Sequence, residues 1–256
     1  SRQIILALAQ KNTAIKPLFL DTNQGITGNS NLVLKNAKGR YFILFGGDDL
    51  MEPGRITKQV EILQNNPQAA ICCTDIEVFH DGNEKDSYIY RNKVFYNDLG
   101  PAKVISHENA PPTSALMFDL NKGIGITFDV RTPVVSDWLF VVEYAIAGSI
   151  VYVPEVYTRY RRHADNSTSS GIEKAYLEDR LIYTDIFIAK YQQYFFSYKK
   201  QRNNIFFTAA KRYYKAGNFK GCRKLLVKAA FEWPFSYKPF ALFLLSLFGR
   251  RFVKNF

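Results

Sequence analysis

Short apolar runs alternate with segments of helical spacing through the first 170 residues, and this alternation limits the possible folds more than any other feature of the sequence. The runs that read as buried strands are Pro17–Leu20, Tyr41–Phe45, Ala69–Thr74, Ala115–Phe118 and Ile150–Val153. Apolar residues keep helical spacing after Pro53, and Ser136–Ala147 has the length and apolar content of a helix. Strands and helices that alternate in this way favour an α/β fold with a mostly parallel sheet that helices flank on both faces.

The C-terminal third of the chain has a different composition. Residues 171–256 contain 17 Lys and Arg against 5 Asp and Glu, whereas residues 1–170 contain 17 against 18. The Ser, Thr and Gly residues of Ser167–Gly171 separate the two compositions, so we expect one domain over residues 1–170 and an extension over residues 171–256. Helical spacing in the extension, with a turn at Gly217, predicts that this basic, aromatic-rich part is α-helical.

The positive charge of the extension suits an anionic partner. Trp233–Phe256 interleaves Phe and Leu with Lys and Arg, a pattern that can lie in the plane of an anionic membrane. A helical cap packed on the first domain fits the same pattern, and both interpretations stay open. No apolar stretch approaches the roughly 20 residues that cross a bilayer, so we expect a cytoplasmic protein, with peripheral contact to the inner face of the cell membrane as a hypothesis. Nucleic acid is not an expected partner, because no binding module accompanies the charge.

Two adjacent carboxylates form the sharpest local signal. Asp48 and Asp49 follow Gly46 and Gly47 at the carboxyl end of the apolar run Tyr41–Phe45, and open α/β sheets bind ligands at that edge. A hard divalent cation takes carboxylate oxygens and completes its shell with water and phosphate. The residues alone leave a second interpretation open, because Asp is also a favoured residue at the start of a helix.

Five groups of residues, in order along the chain, resemble the motifs of the family 2 glycosyltransferases. They are Asn23-Gln24-Gly25-Ile26, then Asn31-Leu32 with Ala37-Lys38-Gly39-Arg40-Tyr41-Phe42, then Gly47-Asp48-Asp49-Leu50 with Pro53-Gly54-Arg55-Ile56, then Ser136-Asp137-Trp138-Leu139, and finally Tyr160-Arg161-Arg162-His163 with Asn166-Ser167. The resemblance implies a GT-A fold, a nucleotide-diphospho-sugar donor and, usually, inversion at the anomeric carbon. It also implies a glycan or lipid-linked acceptor, as in bacterial surface-polysaccharide synthesis.

The resemblance assigns roles to individual residues. Asp48 and Asp49 would hold magnesium or manganese at the donor diphosphate. Asp137 would be the general base that takes the proton from the acceptor hydroxyl, although the N-cap of its helix is a second interpretation. His163 would reach the metal or the diphosphate, although a lone histidine beside two arginines is also typical of a surface position. The substrate-binding candidates are Asn23, Gly25, Asn31, Trp138 and His163.

The sequence departs from the family pattern in two places. Many relatives carry an Asp two residues before Asp48, where this chain has Gly46, so we expect a thinner set of metal ligands. The family's first strand, first helix and following acidic turn, which hold the nucleobase and ribose, have no counterpart before Ser1. We therefore expect the 256 residues by themselves to turn over little or no donor. A non-catalytic glycan-binding or assembly partner, derived from a transferase domain, is the alternative function.

Overall fold

The computed structural model describes residues 2–80, 83–91, 101–106, 112–163 and 173–247. The strands in this part of the chain are β1 (Tyr41–Phe42), β2 (Leu50–Met51), β3 (Ala69–His80), β4 (Asn83–Tyr90), β5 (Leu116–Asp119) and β6 (Ser149–Arg162). The helices are α1 (Arg2–Lys11), α2 (Gly25–Asn36), α3 (Arg55–Asn65), α4 (Pro101–Ser106), α5 (Ser136–Ala147), α6 (Glu173–Lys190), α7 (Phe195–Lys215), α8 (Phe219–Glu232) and α9 (Lys238–Leu247). None of the described helices is both long and apolar enough to span a bilayer.

The strands form one sheet in the order β1-β5-β3-β6-β2, with β4 paired to β3. β3 and β6 run parallel, from Ala69 opposite Ser149 to His80 opposite Arg162. The pairings β1–β5, β2–β6, β3–β4 and β3–β5 are antiparallel. The α/β architecture of GT-A type is confirmed, but the expectation of a mostly parallel sheet needs correction for the described strands. A buried apolar run looks the same in either strand direction, so the sequence pattern could not decide direction.

Several predicted elements differ in length from the observed ones. The run Pro17–Leu20 has no regular secondary structure, and the strand predicted at Tyr41–Phe45 keeps only its first two residues. The strand predicted at Ile150–Val153 continues to Arg162, because β3 offers a partner along its whole length. The helix predicted at Ser136–Ala147 is observed with those bounds.

The main hydrophobic core lies between the sheet and α5, and α6 covers it. Phe118 of β5 meets the rings of Phe140 and Tyr144 of α5, each at 5.0 Å between centroids. Tyr183 and Phe187 of α6 are buried in the same cluster. Helices α7, α8 and α9 bury a second cluster of their own, around residues 210, 222 and 226. The predicted boundary near residue 170 lies outside the described residues, and the division into two domains stays a prediction.

Candidate active site

The two adjacent carboxylates lie in the turn before β2, next to the end of β6. β2 pairs with β6 with Leu50 opposite Arg159, and this register carries the preceding turn alongside Arg161. The Arg161 backbone N–H donates to Asp49 Oδ1 at 3.1 Å, and its side-chain Nε donates to the Asp48 carbonyl oxygen at 2.8 Å. The residue that caps α3 is Gly54. Neither carboxylate therefore caps a helix, and β6 holds the acidic turn in place.

Gly46 allows both carboxylates to fold to the same side of the turn. A Cβ atom at this position would lie 2.7 Å from Asp48 Oδ1 and 3.3 Å from Asp49 Oδ2. The two oxygens thus occupy the space that a side chain at position 46 would fill. Two converging carboxylates fit part of the shell of a hard divalent cation. Among the described residues, no group of three or more His, Cys, Asp or Glu side chains has a metal-binding arrangement.

His163 reaches the acidic turn from the end of β6. Its Nε2 lies 3.2 Å from Asp48 Oδ2, and the imidazole is partly buried. Arg162, its neighbour in the chain, points elsewhere, with its guanidinium 5.6 Å from the ring centroid of Tyr160. The structure thus brings His163 together with Asp48.

The protein environment shifts the pKa of Asp49. Burial raises the pKa of Asp49, and the Arg161 N–H and the Ser114 hydroxyl partly oppose that rise. Ser114 Oγ is itself buried and has no hydrogen bond of ordinary geometry among the described residues. The hydroxyl is therefore close enough to influence Asp49 electrostatically without a well-formed bond to it.

Asp137 lies in the first turn of α5. Its Oδ2 accepts a hydrogen bond from Thr113 Oγ1 at 2.9 Å, and its Oδ1 accepts one from the Trp138 N–H at 2.9 Å. The N-cap residue of the helix is Val135, so Asp137 is not the cap. Desolvation by the surrounding protein raises the pKa of Asp137, although the residue is exposed to solvent and both hydrogen bonds oppose the rise.

One 3-10 turn connects the surroundings of the two acidic positions. This turn, Thr113–Ala115, directly precedes β5. Thr113 donates to Asp137, and Ser114 influences Asp49. Consecutive Cα atoms are only about 3.8 Å apart, so Asp49 and Asp137 each lie close to one of two neighbouring residues of this turn. We call Asp48, Asp49, Asp137 and the turn Thr113–Ala115 the acidic site.

Comparison with known proteins shows the family to which the first part of the chain is similar. Residues 1–125 match the family model described as glycosyl transferase family 2. This part of the chain belongs to glycosyl transferase family 2. Asp48 and Asp49 lie within the matched residues of the family 2 domain, whereas Asp137 and His163 follow them in the chain.

Similar proteins come from several bacteria. Uncharacterized proteins of Mycobacterium tuberculosis and Mycobacterium bovis are 29% identical over 151 residues, which are 58% of this chain and 42% of each relative. An uncharacterized glycosyltransferase of Haemophilus influenzae is 24% identical over 170 residues, 64% of this chain and 52% of that protein. The chain thus spans about half the length of the curated relatives that it matches.

Solved structures share the fold of the chain. A crystal structure of S. aureus TarS 1–349 superposes with a TM-score of 0.58 at 12% identity, covering 86% of this chain and 67% of that one. A second crystal structure of S. aureus TarS gives a TM-score of 0.59 at 13% identity, covering 94% of this chain and 42% of that one. At this level of identity, the likeness establishes the fold alone.

Helix α6 positions the N-terminal end of α5 and thereby Asp137. Asp179 Oδ2 of α6 accepts hydrogen bonds from the N–H groups of Val134 and Val135, at 2.5 and 3.3 Å. Trp138 Nε1 donates to the hydroxyl of Tyr183 at 2.6 Å. Sequence analysis missed Asp179, since an isolated acid on a distant helix carries no motif that points to α5.

The remaining predicted substrate-binding residues hold local structure. Asn23 Oδ1 accepts from the Gly25 N–H at 2.8 Å, and Gly25 has a φ of +69° at the start of α2. Asn31 bonds the backbone of Phe128 twice, with Nδ2 donating to the carbonyl at 2.8 Å and Oδ1 accepting from the N–H at 2.9 Å. Trp138 is buried. Contact of these four residues with substrate stays a prediction.

Arg55 is a fully buried cation behind the acidic turn. Its Nε donates to Gln59 Oε1 at 2.9 Å, its Nη1 donates to Thr158 Oγ1 at 2.8 Å, and its Nη2 lies 3.5 Å from the Leu116 carbonyl. Burial lowers the pKa of Arg55 to about 10, and the charge of Asp49 is among the groups that oppose this shift. The family 2 domain therefore keeps a positive charge, bonded to neutral groups, beneath its carboxylates.

A mainly apolar cavity of about 460 Å³ lies away from the carboxylates. It is open to solvent and lies between α2 and the loop over residues 120–127, with Tyr144 on its wall. Asn31 lines it, but Asp48, Asp49 and Asp137 do not. The cavity and the acidic site are thus separate features.

Proposed function

We propose that this protein transfers a sugar from a nucleotide-diphosphate donor to an acceptor hydroxyl, with inversion at the anomeric carbon. The observation that carries the proposal is the turn Thr113–Ala115, whose Thr113 donates a hydrogen bond to Asp137 and whose Ser114 influences Asp49. In a displacement reaction at such a site, one carboxylate can face the leaving group and the other can face the nucleophile. The family 2 match supports this reaction class.

In this proposal, the leaving diphosphate binds at the acidic turn, which carries Asp48 and Asp49. Asp48 and Asp49 would hold a magnesium or manganese ion, which when bound neutralises charge that develops on the departing phosphates. His163, beside Asp48, can donate a hydrogen bond to a phosphate oxygen. Arg161 fixes the backbone of the turn, so the carboxylates need little rearrangement when the donor binds.

The acceptor hydroxyl belongs next to Asp137. As general base, Asp137 would take the hydroxyl proton while the oxygen attacks the anomeric carbon on the face opposite the diphosphate, which inverts the configuration. A pKa raised from the ordinary value makes the Asp137 carboxylate a stronger base. The hydrogen bond from Thr113 orients it.

The wider setting of the reaction is also part of the proposal. A glycan or lipid-linked acceptor, and a place in bacterial surface-polysaccharide synthesis on the cytoplasmic side, fit the bacterial origin of the relatives. The identities of the sugar and the nucleotide depend on the shape of the donor pocket.

Replacing Asp137 by Asn tests the proposed base. In the complete gene product, incubated with a panel of UDP-, GDP- and dTDP-sugars and acceptor extract, we expect product formation to fall by about 10²–10⁴-fold. Donor binding, measured by isothermal titration of the nucleotide sugar that supports turnover, should change less than about threefold, because the base does not contact the diphosphate.

The matched control is Asp129→Asn, which removes an acid paired locally with Arg131. This variant should keep full transfer. The Asp137→Asn variant should also be at least as stable as the wild type at neutral pH, since a raised folded pKa means that the charged carboxylate costs stability there. Unchanged transfer by a well-folded Asp137→Asn variant would exclude the base and favour the non-catalytic alternative.

A further inference from the structure

Four aromatic rings from two separate parts of the chain form one continuous row, in which three rings are exposed and Trp233 is half-buried. Phe195 and Phe196 open α7, while Trp233 and Phe235 belong to the connection between α8 and α9. The ring centroids follow one another at 5.9 Å (Phe195 to Phe196), 6.5 Å (Phe196 to Trp233) and 5.3 Å (Trp233 to Phe235). We call these four residues the aromatic ridge.

Two phenylalanine rings of the aromatic ridge are largely exposed to solvent. Phe196 keeps 72% of its surface open to solvent and Phe235 keeps 83%. Phe231, at the end of α8, is 84% exposed, and Tyr237 after the ridge is also open. Single exposed apolar side chains are ordinary, but a contiguous group of rings on a protein surface marks an interaction site.

Further along, α7 is packed into the protein. Gln201 and Phe206 are buried, and the helix contacts α4 and α6. Helix α7 thus packs against other helices along its length and carries the start of the ridge at its N-terminal end. The two sequence-based interpretations of the extension, a helical cap and a membrane-facing surface, therefore do not exclude each other.

The charge around the aromatic ridge is strongly positive. Residues 195–247 contain 11 Lys and Arg and one acid, Glu232. Glu232 is already neutralised, because Lys199 Nζ lies 2.6 Å from its Oε2 and Arg202 Nε lies 2.8 Å from its Oε1. Asp185 of α6 also lies near the ridge, because Tyr198 contacts both Asp185 and Phe195, and it is paired with Arg202. Both of these acids are ion-paired, and the other cations of residues 195–247 give the surface a net positive charge.

Cations stand close to the rings themselves. Lys199 Nζ lies 5.9 Å from the ring centroid of Phe195. Lys200 follows Phe196 by four residues in α7, which sets it one helical turn further along the same face. Lys238 is exposed at the start of α9, just after the ridge. Apolar rings and ammonium groups are thus presented together.

We propose that the aromatic ridge docks the protein on an anionic lipid membrane. The phenylalanine rings would enter the boundary between headgroups and acyl chains, and the tryptophan would sit at headgroup level. The lysines would meet lipid phosphates, whose negative surface potential attracts cations within a Debye length. The excess positive charge would not attract a neutral glycan, and it disfavours a basic protein partner.

This surface differs from the one that the sequence suggested. The predicted membrane segment began at Trp233 and continued through residues 248–256, which lie outside the described residues. The ridge adds Phe195 and Phe196 from α7, which stand beside Trp233 only in the folded chain. Membrane binding should therefore depend on residues nearly 40 positions apart.

Vesicle co-sedimentation of the full chain tests the proposal. We expect the wild type to sediment with vesicles of phosphatidylcholine and phosphatidylglycerol at 7:3, and much less with pure phosphatidylcholine. The double variant Phe196→Ser/Phe235→Ser should lower partitioning onto the anionic vesicles at least tenfold. Because both rings are exposed, its thermal unfolding midpoint should match that of the wild type.

Ile124→Ser/Val130→Ser is the matched control, since it removes two apolar side chains that are 87% and 69% exposed in another part of the chain. This control should bind vesicles like the wild type. A second variant, Lys200→Glu/Lys238→Glu, should weaken binding to anionic vesicles and leave binding to neutral ones unchanged.

The proposal is overturned if the wild type ignores anionic vesicles, or if the Phe196→Ser/Phe235→Ser variant binds as well as the wild type. An equal loss of vesicle binding in the Ile124→Ser/Val130→Ser control would also overturn the proposal, because any exposed apolar side chain would then contribute to binding. Capture by soluble heparin without vesicle binding would identify a polyanion site instead. The assay uses no sugar donor, so an Asp137→Asn variant that binds vesicles normally separates this result from the proposed transfer.

Discussion

At the scale of one residue, Gly46 stands where many relatives carry an Asp, and it still supports the acidic turn. The missing carboxylate leaves room at this position, and Asp48 and Asp49 turn their oxygens into it. The sequence alone suggested a weaker set of metal ligands. The geometry suggests that the carboxylates of Asp48 and Asp49 converge because position 46 carries no side chain.

Replacing Gly46 by Ala should weaken binding of Mn²⁺ roughly tenfold, on the scale seen when the support of metal ligands is disturbed. The new Cβ would sit 2.7 Å from Asp48 Oδ1 and would push that carboxylate away from its neighbour. Water-proton relaxation during titration of the protein with Mn²⁺ measures the affinity.

Gly47→Ala is the matched control, because a Cβ at that position meets nothing within 4 Å. It should keep the affinity of the wild type for Mn²⁺. If Gly46→Ala and Gly47→Ala bind Mn²⁺ equally well, the convergence of the two carboxylates does not create the metal site.

At the scale of elements, α6 acts on the acidic site through the start of α5. Its Asp179 accepts from two backbone N–H groups at the start of α5, and its Tyr183 accepts from Trp138. Both contacts fix the turn of α5 that carries Asp137. A helix beyond the predicted domain boundary thus positions the proposed base.

Replacing Asp179 by Ala should lower the free energy of unfolding by about 2 kcal/mol, because two N–H groups would lose their acceptor in a buried place. Urea denaturation followed by circular dichroism gives this value. Transfer activity should fall as well, since the start of α5 would no longer be held.

Asp185→Ala removes an exposed acid from the same helix, paired with Arg202, and should cost no more than about 1 kcal/mol. Asp179→Asn retains one acceptor oxygen and should fall between the wild type and the alanine variant. Equal stability of the Asp179→Ala and Asp185→Ala variants would contradict the capping role of Asp179.

At the scale of the whole molecule, one ionic network joins the last helices. Arg202 of α7 contacts Glu232 of α8 and Asp185 of α6, and Lys199 completes the network from the adjacent turn of α7. Burial would raise the pKa of Glu232, but hydrogen bonds from Lys199 and Arg202 overcome it and lower the pKa below the ordinary value. The charged form of Glu232 therefore stabilises the fold.

Replacing Glu232 by Gln should lower the free energy of unfolding by about 1.5–3 kcal/mol at pH 7, the range for hydrogen bonds to charged groups. A depressed folded pKa means that this stability is present above the unfolded pKa, near 4.5, and is lost as pH falls through the folded value. Denaturation series at pH 7 and at pH 3 should show the difference between wild type and variant shrinking. A difference of equal size at both values would exclude an ionic origin.

The sequence by itself determined the α/β class, the helix Ser136–Ala147 and the acidic turn, because these follow from local periodicity and adjacent residues. Tertiary structure decided the direction of the strands, the pairing of Asp48 with His163 and the approach of Asp49 and Asp137 to one turn. It also decided that Phe196 stands beside Trp233. Each of these depends on contacts between residues that are distant in the chain, and local pattern carries no information about which distant groups will meet.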